Sequence, residues 1–183
     1  MPLFRLVSAL LLLSAASFFA ADSIQLLSDP GMKTASGWKA FGKNAVRKNT
    51  RTLVLSKPAG AERERCAWRA NTVIPGKQLS GPFFLTFESE TNGITPARAD
   101  DAWAGAVVLI HGHKDGKYQN VKVERIHGKE AGFRQYTVKG VIPEKMEDLF
   151  LEFTLQNASG NVKIKNISML LEPSGKDGKE EPK

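Results

Sequence analysis

Apolar and polar residues alternate with a period of two along most of the chain, most clearly from Gly132 to Leu171. Tyr136, Val138 and Ile142 share one parity. Leu149, Leu151, Phe153 and Leu155 share another, with Glu152, Thr154 and Gln156 between them, and Val162 and Ile164 begin a third run. This period predicts three strands, each with one buried and one wet face. Val141-Ile-Pro-Glu144 and Asn157-Ala-Ser-Gly160 carry turn chemistry and join them. In the last run the parity switches, because Ile167, Met169 and Leu171 fall opposite Val162 and Ile164. One residue must be absorbed, which predicts a bulge at Lys165-Asn166.

The same reading extends upstream. Ser23–Leu27 and Arg51–Ser56 read as strands, and Gly42–Thr50 as a loop or edge strand. Trp38 and Phe41 stand among turn formers. Cys66–Ile74 is a strand with Trp68, Ala70, Thr72 and Ile74 on one parity, followed by a turn at Pro75-Gly76-Lys77. Pro82–Glu90 sets Phe83, Leu85 and Phe87 against Thr86, Glu88 and Glu90, and a long polar loop is expected over Thr91–Asp101. Ala104–His113 is almost continuously apolar, the composition of a central strand covered on both faces. Asp115-Gly116 is a hairpin turn, and Tyr118–Ile126 continues beyond it. Roughly eight to ten strands, with no amphipathic helix and no internal repeat, predict an all-β chain: a single-domain, two-sheet antiparallel β-sandwich or jelly roll over residues 22–172.

The two ends read differently. Arg5 followed by the apolar run Leu6–Leu13 and small residues predicts a signal peptide over 1–21, since the run is too short to span a bilayer. Cleavage fits after Ala16 or near Ala20 and Ala21. Residues 173–183 contain only Gly, Pro, Ser and charged side chains, the composition of a disordered tail. The expected location is secreted or periplasmic, without membrane insertion. Cys66 is the single cysteine, so no internal disulfide is possible, and a buried small hydrophobe is the simplest role for it.

Charge adds one feature. Between Lys33 and Arg69 there are ten basic residues against Glu62 and Glu64, a local excess larger than the formal +7 of the whole chain. A solvated basic face accounts for this, and so does a surface for acidic glycans. Export disfavours nucleic acid as a partner.

The order of these pieces resembles the galactose-binding-like jelly rolls, and among them the carbohydrate-binding modules of the family 4/9/22 type. The resemblance is carried by Pro75-Gly-Lys before the 82–90 strand, a loop ending in Trp103, and a central strand closed by Asp115-Gly-Lys117. Gly132-Phe-Arg-Gln-Tyr136, Val141-Ile-Pro143-Glu and Ala158-Ser-Gly160 complete the order. The resemblance covers roughly residues 23–172 and implies a β-sandwich with a non-catalytic, glycan-binding role. Such modules commonly carry an acidic pair in the last strand, part of a structural calcium site. Lys165-Asn166 stand there, and calcium tolerates lysine badly, so the site does not transfer. Phe133 also replaces a usual tryptophan.

Sugar binding needs flat aromatic faces and polar groups for hydroxyls. The candidate ligand residues are Trp103, Trp68 and Tyr118 as platforms, with Glu88, Arg134 and Gln156 as polar contacts on the wet parities. Trp38 and Tyr136 read as core. His111-Gly-His113 has metal spacing, since residues i and i+2 share a strand face. With Gly105 it also resembles the opening of the cupin signature, but the later Glu and His of that signature are missing, and two ligands fall short of a transition-metal site. No cofactor or metal is expected. Asp100-Asp101 are adjacent in a loop and poorly placed to straddle a glycosidic bond. The leading expectation is a secreted non-catalytic carbohydrate-binding module, with acidic polysaccharide one class of ligand. The alternatives are an envelope structural or protein-interaction domain, and a cupin-like metal enzyme using His111 and His113.

Overall fold

A computed structural model describes residues 23–30, 32, 37–49, 51–72, 80–127 and 132–172. The expected signal peptide, the turn at Pro75-Gly76-Lys77, and the tail lie outside the described residues.

The described chain contains strands and no helix. Eleven strands run in chain order: β1 (Ile24–Gln25), β2 (Trp38–Phe41), β3 (Ala45–Asn49), β4 (Thr52–Lys57), β5 (Ala67–Asn71), β6 (Gly81–Pro96), β7 (Gly105–Lys114), β8 (Lys117–Arg125), β9 (Arg134–Ile142), β10 (Met146–Gln156) and β11 (Ala158–Leu171). They form two antiparallel sheets. One has six strands in the order β3-β4-β11-β6-β9, with β1 pairing the far end of β11; the other has five in the order β2-β5-β10-β7-β8. This is a β-sandwich.

The alternating residues meet between the sheets. Phe83, Leu85 and Phe87 of β6 face Leu149, Leu151 and Phe153 of β10, all at most 1% exposed. Phe87 and Phe153 meet edge to face at 5.0 Å, a packing that aromatic quadrupoles favour, and Trp38 stacks on Phe153 at 6.0 Å. Cys66 is buried in this core, where burial raises its thiol pKa and the thiol donates to the Asn44 carbonyl.

Several joints follow the sequence closely. Asp115 and Gly116 both have positive φ (51° and 69°), as the two-residue turn between β7 and β8 demands. β11 shifts register between Lys165 and Ser168, where Asn166 has φ 53°, so the bulge lies where the parity change put it. At Asn157 (φ 43°) the chain leaves one sheet for the other, so β10 and β11 are neighbours in sequence but not in a sheet. One expectation fails. The segment Thr91–Pro96 is not loop: it continues β6, because β11 is long enough to pair it as far as Ala158–Pro96. Trp38–Phe41, for which the sequence pattern predicts no element, is a strand held by pairing with β5.

Candidate functional site

The register defines the outer face of the five-stranded sheet. One row across the strands reads Lys39, Arg69, Glu152, Leu109, Val123; the next toward one end reads Phe41, Ala67, Thr154, Val107, Arg125. On the other side lie Phe150, His111 and Asn120, then Asp148, His113 and Tyr118. No other strand covers this face among the described residues. Even so, Ala67, Val107, Glu152, Thr154 and His111 are all buried. Larger neighbours shield them, and the face has a low floor with raised sides. Phe41 stands at the β2 edge; Trp103 and Tyr118, 61% and 58% exposed, stand at the β8 side.

The loop that presents Trp103 is fixed by its own residues. Asp101 accepts the Trp103 backbone N–H at 2.9 Å through Oδ1 and the Asn157 amide at 2.9 Å through Oδ2. These bonds hold its carboxyl below the ordinary aspartate value, the Trp103 bond most of all. Asp100 pairs with Arg98 through two oxygens at 3.0 and 2.8 Å. Both aspartates are therefore occupied in building the loop. Trp103 lines a groove of about 500 Å³ with Val107, Val123 and Arg125.

Glu152 is the hub of the floor. Arg69 donates to its Oε2 through Nε at 2.8 Å and brings Nη2 to 2.7 Å from it as an ion pair, and Arg65 Nη2 lies 3.6 Å from the same oxygen. Burial opposes ionisation of Glu152. The His111 imidazole, the Arg69 fork and the Arg65 charge outweigh it, and its pKa sits below the usual glutamate value. At 3.8 Å His111 Nε2 is beyond hydrogen-bond length, so the Arg69 fork is the firmer support. His111 also packs between Tyr118 (5.3 Å) and Phe150 (5.4 Å), and its Nδ1 is buried without a hydrogen-bond partner. His113 Nδ1 faces the Asp148 carboxylate at 3.0 and 2.9 Å. The two histidines share a face as expected, yet each engages a different carboxylate. Among the described residues no group of three or more His, Cys, Asp or Glu side chains is arranged to hold a metal ion.

The six candidate ligand residues divide. Trp103, Tyr118 and Gln156 belong to this face, Gln156 by its parity with Glu152 and Thr154. Trp68 does not: it is 6% exposed between the sheets, and its indole N–H donates to the Val54 carbonyl at 3.1 Å. With Ala70 it forms the inward parity of β5, so no ring face reaches solvent. Glu88 and Arg134 lie on the other sheet, where Ser89 pairs Arg134. Glu88 accepts the Asn166 amide at 2.6 Å and pairs with Lys165 at 3.2 Å, and Lys165 sits 3.9 Å over the Phe133 ring. The residues that replace the expected acidic pair thus close on Glu88.

The basic segment is also divided. Lys57 is 2% exposed and donates to the carbonyls of Glu62 and Glu64, and burial lowers its pKa. Lys43 pairs with Glu64. Among the described residues of the segment, Lys39, Arg65 and Arg69 reach the face with Glu152. These three, with Phe41, Phe150 and Glu152, are the site residues that sequence reasoning missed. Wet-face parity marked Glu152; nothing local marked its burial.

No family model matches the chain, and no curated protein matches it. Solved structures share its fold. A family 4 carbohydrate-binding module, CBM4, superposes with TM-score 0.55 at 10% identity, covering 80% of this chain and 99% of that one. The enzymatically active domain of bacteriophage CBA120 tailspike protein 4 gives 0.52 at 15% identity, over 81% of this chain and 22% of that one. The arabinose-bound MgGH51 α-L-arabinofuranosidase gives 0.50 at 12%, over 79% and 26%. The fold is the jelly roll of the carbohydrate-binding modules. The chain matches the module over nearly that module's full length, and only about a quarter of each of the two enzyme chains.

Proposed function

We propose that the chain is a non-catalytic carbohydrate-binding module that holds a glycan across the open face of the five-stranded sheet. The observation that carries this reading is the exposure of the Trp103 and Tyr118 rings beside a sunken polar floor of Glu152, Arg69 and Thr154. Aromatic faces supply contacts for sugar C–H groups, while the floor supplies donors and acceptors for hydroxyls. Tyr118 is fixed for such a role by its hydroxyl, which donates to Asn120 at 2.9 Å. Gln156 adds an amide at the Trp103 end. The adjacent aspartates Asp100 and Asp101 sit in loop-building bonds, which speaks for binding rather than hydrolysis by that pair. The signal-like residues 1–21 favour a secreted or periplasmic place of work.

Affinity electrophoresis against a panel of neutral and acidic polysaccharides tests the proposal. At least one polysaccharide retards the protein, and Trp103→Ala and Tyr118→Ala abolish the retardation while leaving thermal unfolding unchanged. Retardation that survives both substitutions would place the ligand elsewhere and end the proposal.

A further inference from the structure

We infer that this face carries a subsite for an anionic saccharide substituent, a carboxylate or a sulfate, built from Lys39, Arg65 and Arg69 around Phe41. The inference rests on the binding-face reading above and names the class of glycan it takes.

Three cations surround one ring. Arg65, Arg69 and Lys39 stand 4.1, 4.8 and 5.3 Å from the Phe41 centroid. Cation–π contacts of this length hold cationic groups in place without neutralising them. Lys39 and Arg69 are also directly opposite each other on β2 and β5. Like charges facing across a strand pair are destabilising. Among the described residues a single carboxylate, Glu152, serves the cluster, and the contacts to it converge on Oε2. Arg69 uses at most two of the five N–H donors of its guanidinium, through Nε and Nη2, on that oxygen. Arg65 reaches it only at 3.6 Å with its side chain 54% exposed, and no carboxylate among the described residues pairs with Lys39. The cluster is therefore short of negative charge at the β2 end of the trough, next to solvent.

Like charges held together and only partly compensated within the fold are a local conflict of the kind expected at functional sites. The missing partner is an anion that approaches from the open side, with Arg69 preset by Glu152 and Arg65 and Lys39 available to close on it. Guanidinium forks suit both carboxylate and sulfate oxygens. A neutral glycan leaves the excess charge unanswered.

Titration calorimetry at physiological salt with matched ligands decides the matter: polygalacturonate, its fully methyl-esterified form, a sulfated galactan and neutral xylan. Polygalacturonate, the sulfated galactan or both should bind at least about tenfold more tightly than the uncharged polymers, as loss of a charge-assisted contact implies. The stronger of the two anionic ligands identifies the group. Lys39→Gln/Arg65→Gln should cost about tenfold or more for the anionic ligand. Lys48→Gln/Arg51→Gln, which removes the same charge from exposed positions on β3 and just before β4, at the other sheet, should change it less than about twofold. Equal losses in both double variants would mean general charge attraction and overturn the inference. Neutral polymers binding as tightly as charged ones, with Trp103→Ala still abolishing binding, would overturn the inference and leave the binding-face reading standing. Binding of no polysaccharide would overturn both.

Discussion

Arg69 closes a two-pronged contact on one oxygen of Glu152, with Nε at 2.8 Å and Nη2 at 2.7 Å, although both residues lie on the outward face of their sheet. Glu152 is 7% exposed, so the pair behaves as a buried one. Removing one partner leaves the other charge desolvated, whereas removing both leaves a shape that apolar atoms can fill. Arg69→Met and Glu152→Met should each cost about 3 kcal/mol, the low end for a buried pair because the Arg69 side chain is 26% exposed. Arg69→Met/Glu152→Met should cost clearly less than the sum. Urea unfolding of the four proteins measures this, and additive single losses would contradict it.

The same carboxylate gives a pH dependence. The Glu152 pKa is lowered in the fold below the model-peptide value of 4.5. Between the two values the unfolded chain binds more protons, so stability from this group is complete above the unfolded value and is lost as pH falls through the folded one. The difference in Tm between the natural protein and Glu152→Gln should therefore be widest at neutral pH and narrow below about pH 4.5. A constant difference from pH 3 to 7 would count against Glu152 as the titrating group.

Gly112 is expected to resist substitution. A methyl placed on it would meet the Asp148 carbonyl oxygen at 2.1 Å and Met146 Cε at 2.9 Å. The close approach occurs where β10 shifts register between Met146 and Asp148. Backbone cannot yield as a side-chain tip does, so Gly112→Ala should cost about 1–3 kcal/mol. Denaturant midpoints will show it. This also explains His111-Gly-His113: the glycine admits the neighbouring strand.

The tryptophans should separate stability from binding. Trp68→Ala removes a core ring and should cost about 3–5 kcal/mol, while Trp103→Ala should stay within about 0.5 kcal/mol. Thermal unfolding of both variants tests the contrast. A stable Trp68→Ala protein would mean that the ring is not part of the core.

The fold was legible where alternation is local. The Phe83, Leu85, Phe87 and Leu149–Leu155 runs placed the core, and the parity change before Ile167 located a bulge from sequence alone. Thr91–Pro96 was not legible because its polar residues are strand only through pairing with β11, a tertiary effect that outweighs propensity. The site was half legible. Loop position marked Trp103, but alternation places Trp68 on a face without telling which face is inward. The Arg69–Glu152 contact joins residues 83 apart, and no spacing rule connects them.

The passage of the chain from β10 to β11 at Asn157 bears on how the protein is made. β11 is the strand that joins β1, β4 and β6, and it follows every other described strand in the chain. Until residue 171 is available, the β3–β4 hairpin and the β6–β9 pair have no strand to join them in one sheet, and isolated strand pairs are marginal in water. The core therefore closes in one late step. A nascent chain stopped at residue 157 holds all five strands of one sheet and most of the core residues, with the second sheet still unjoined and the apolar inner face of the first uncovered until β11 emerges.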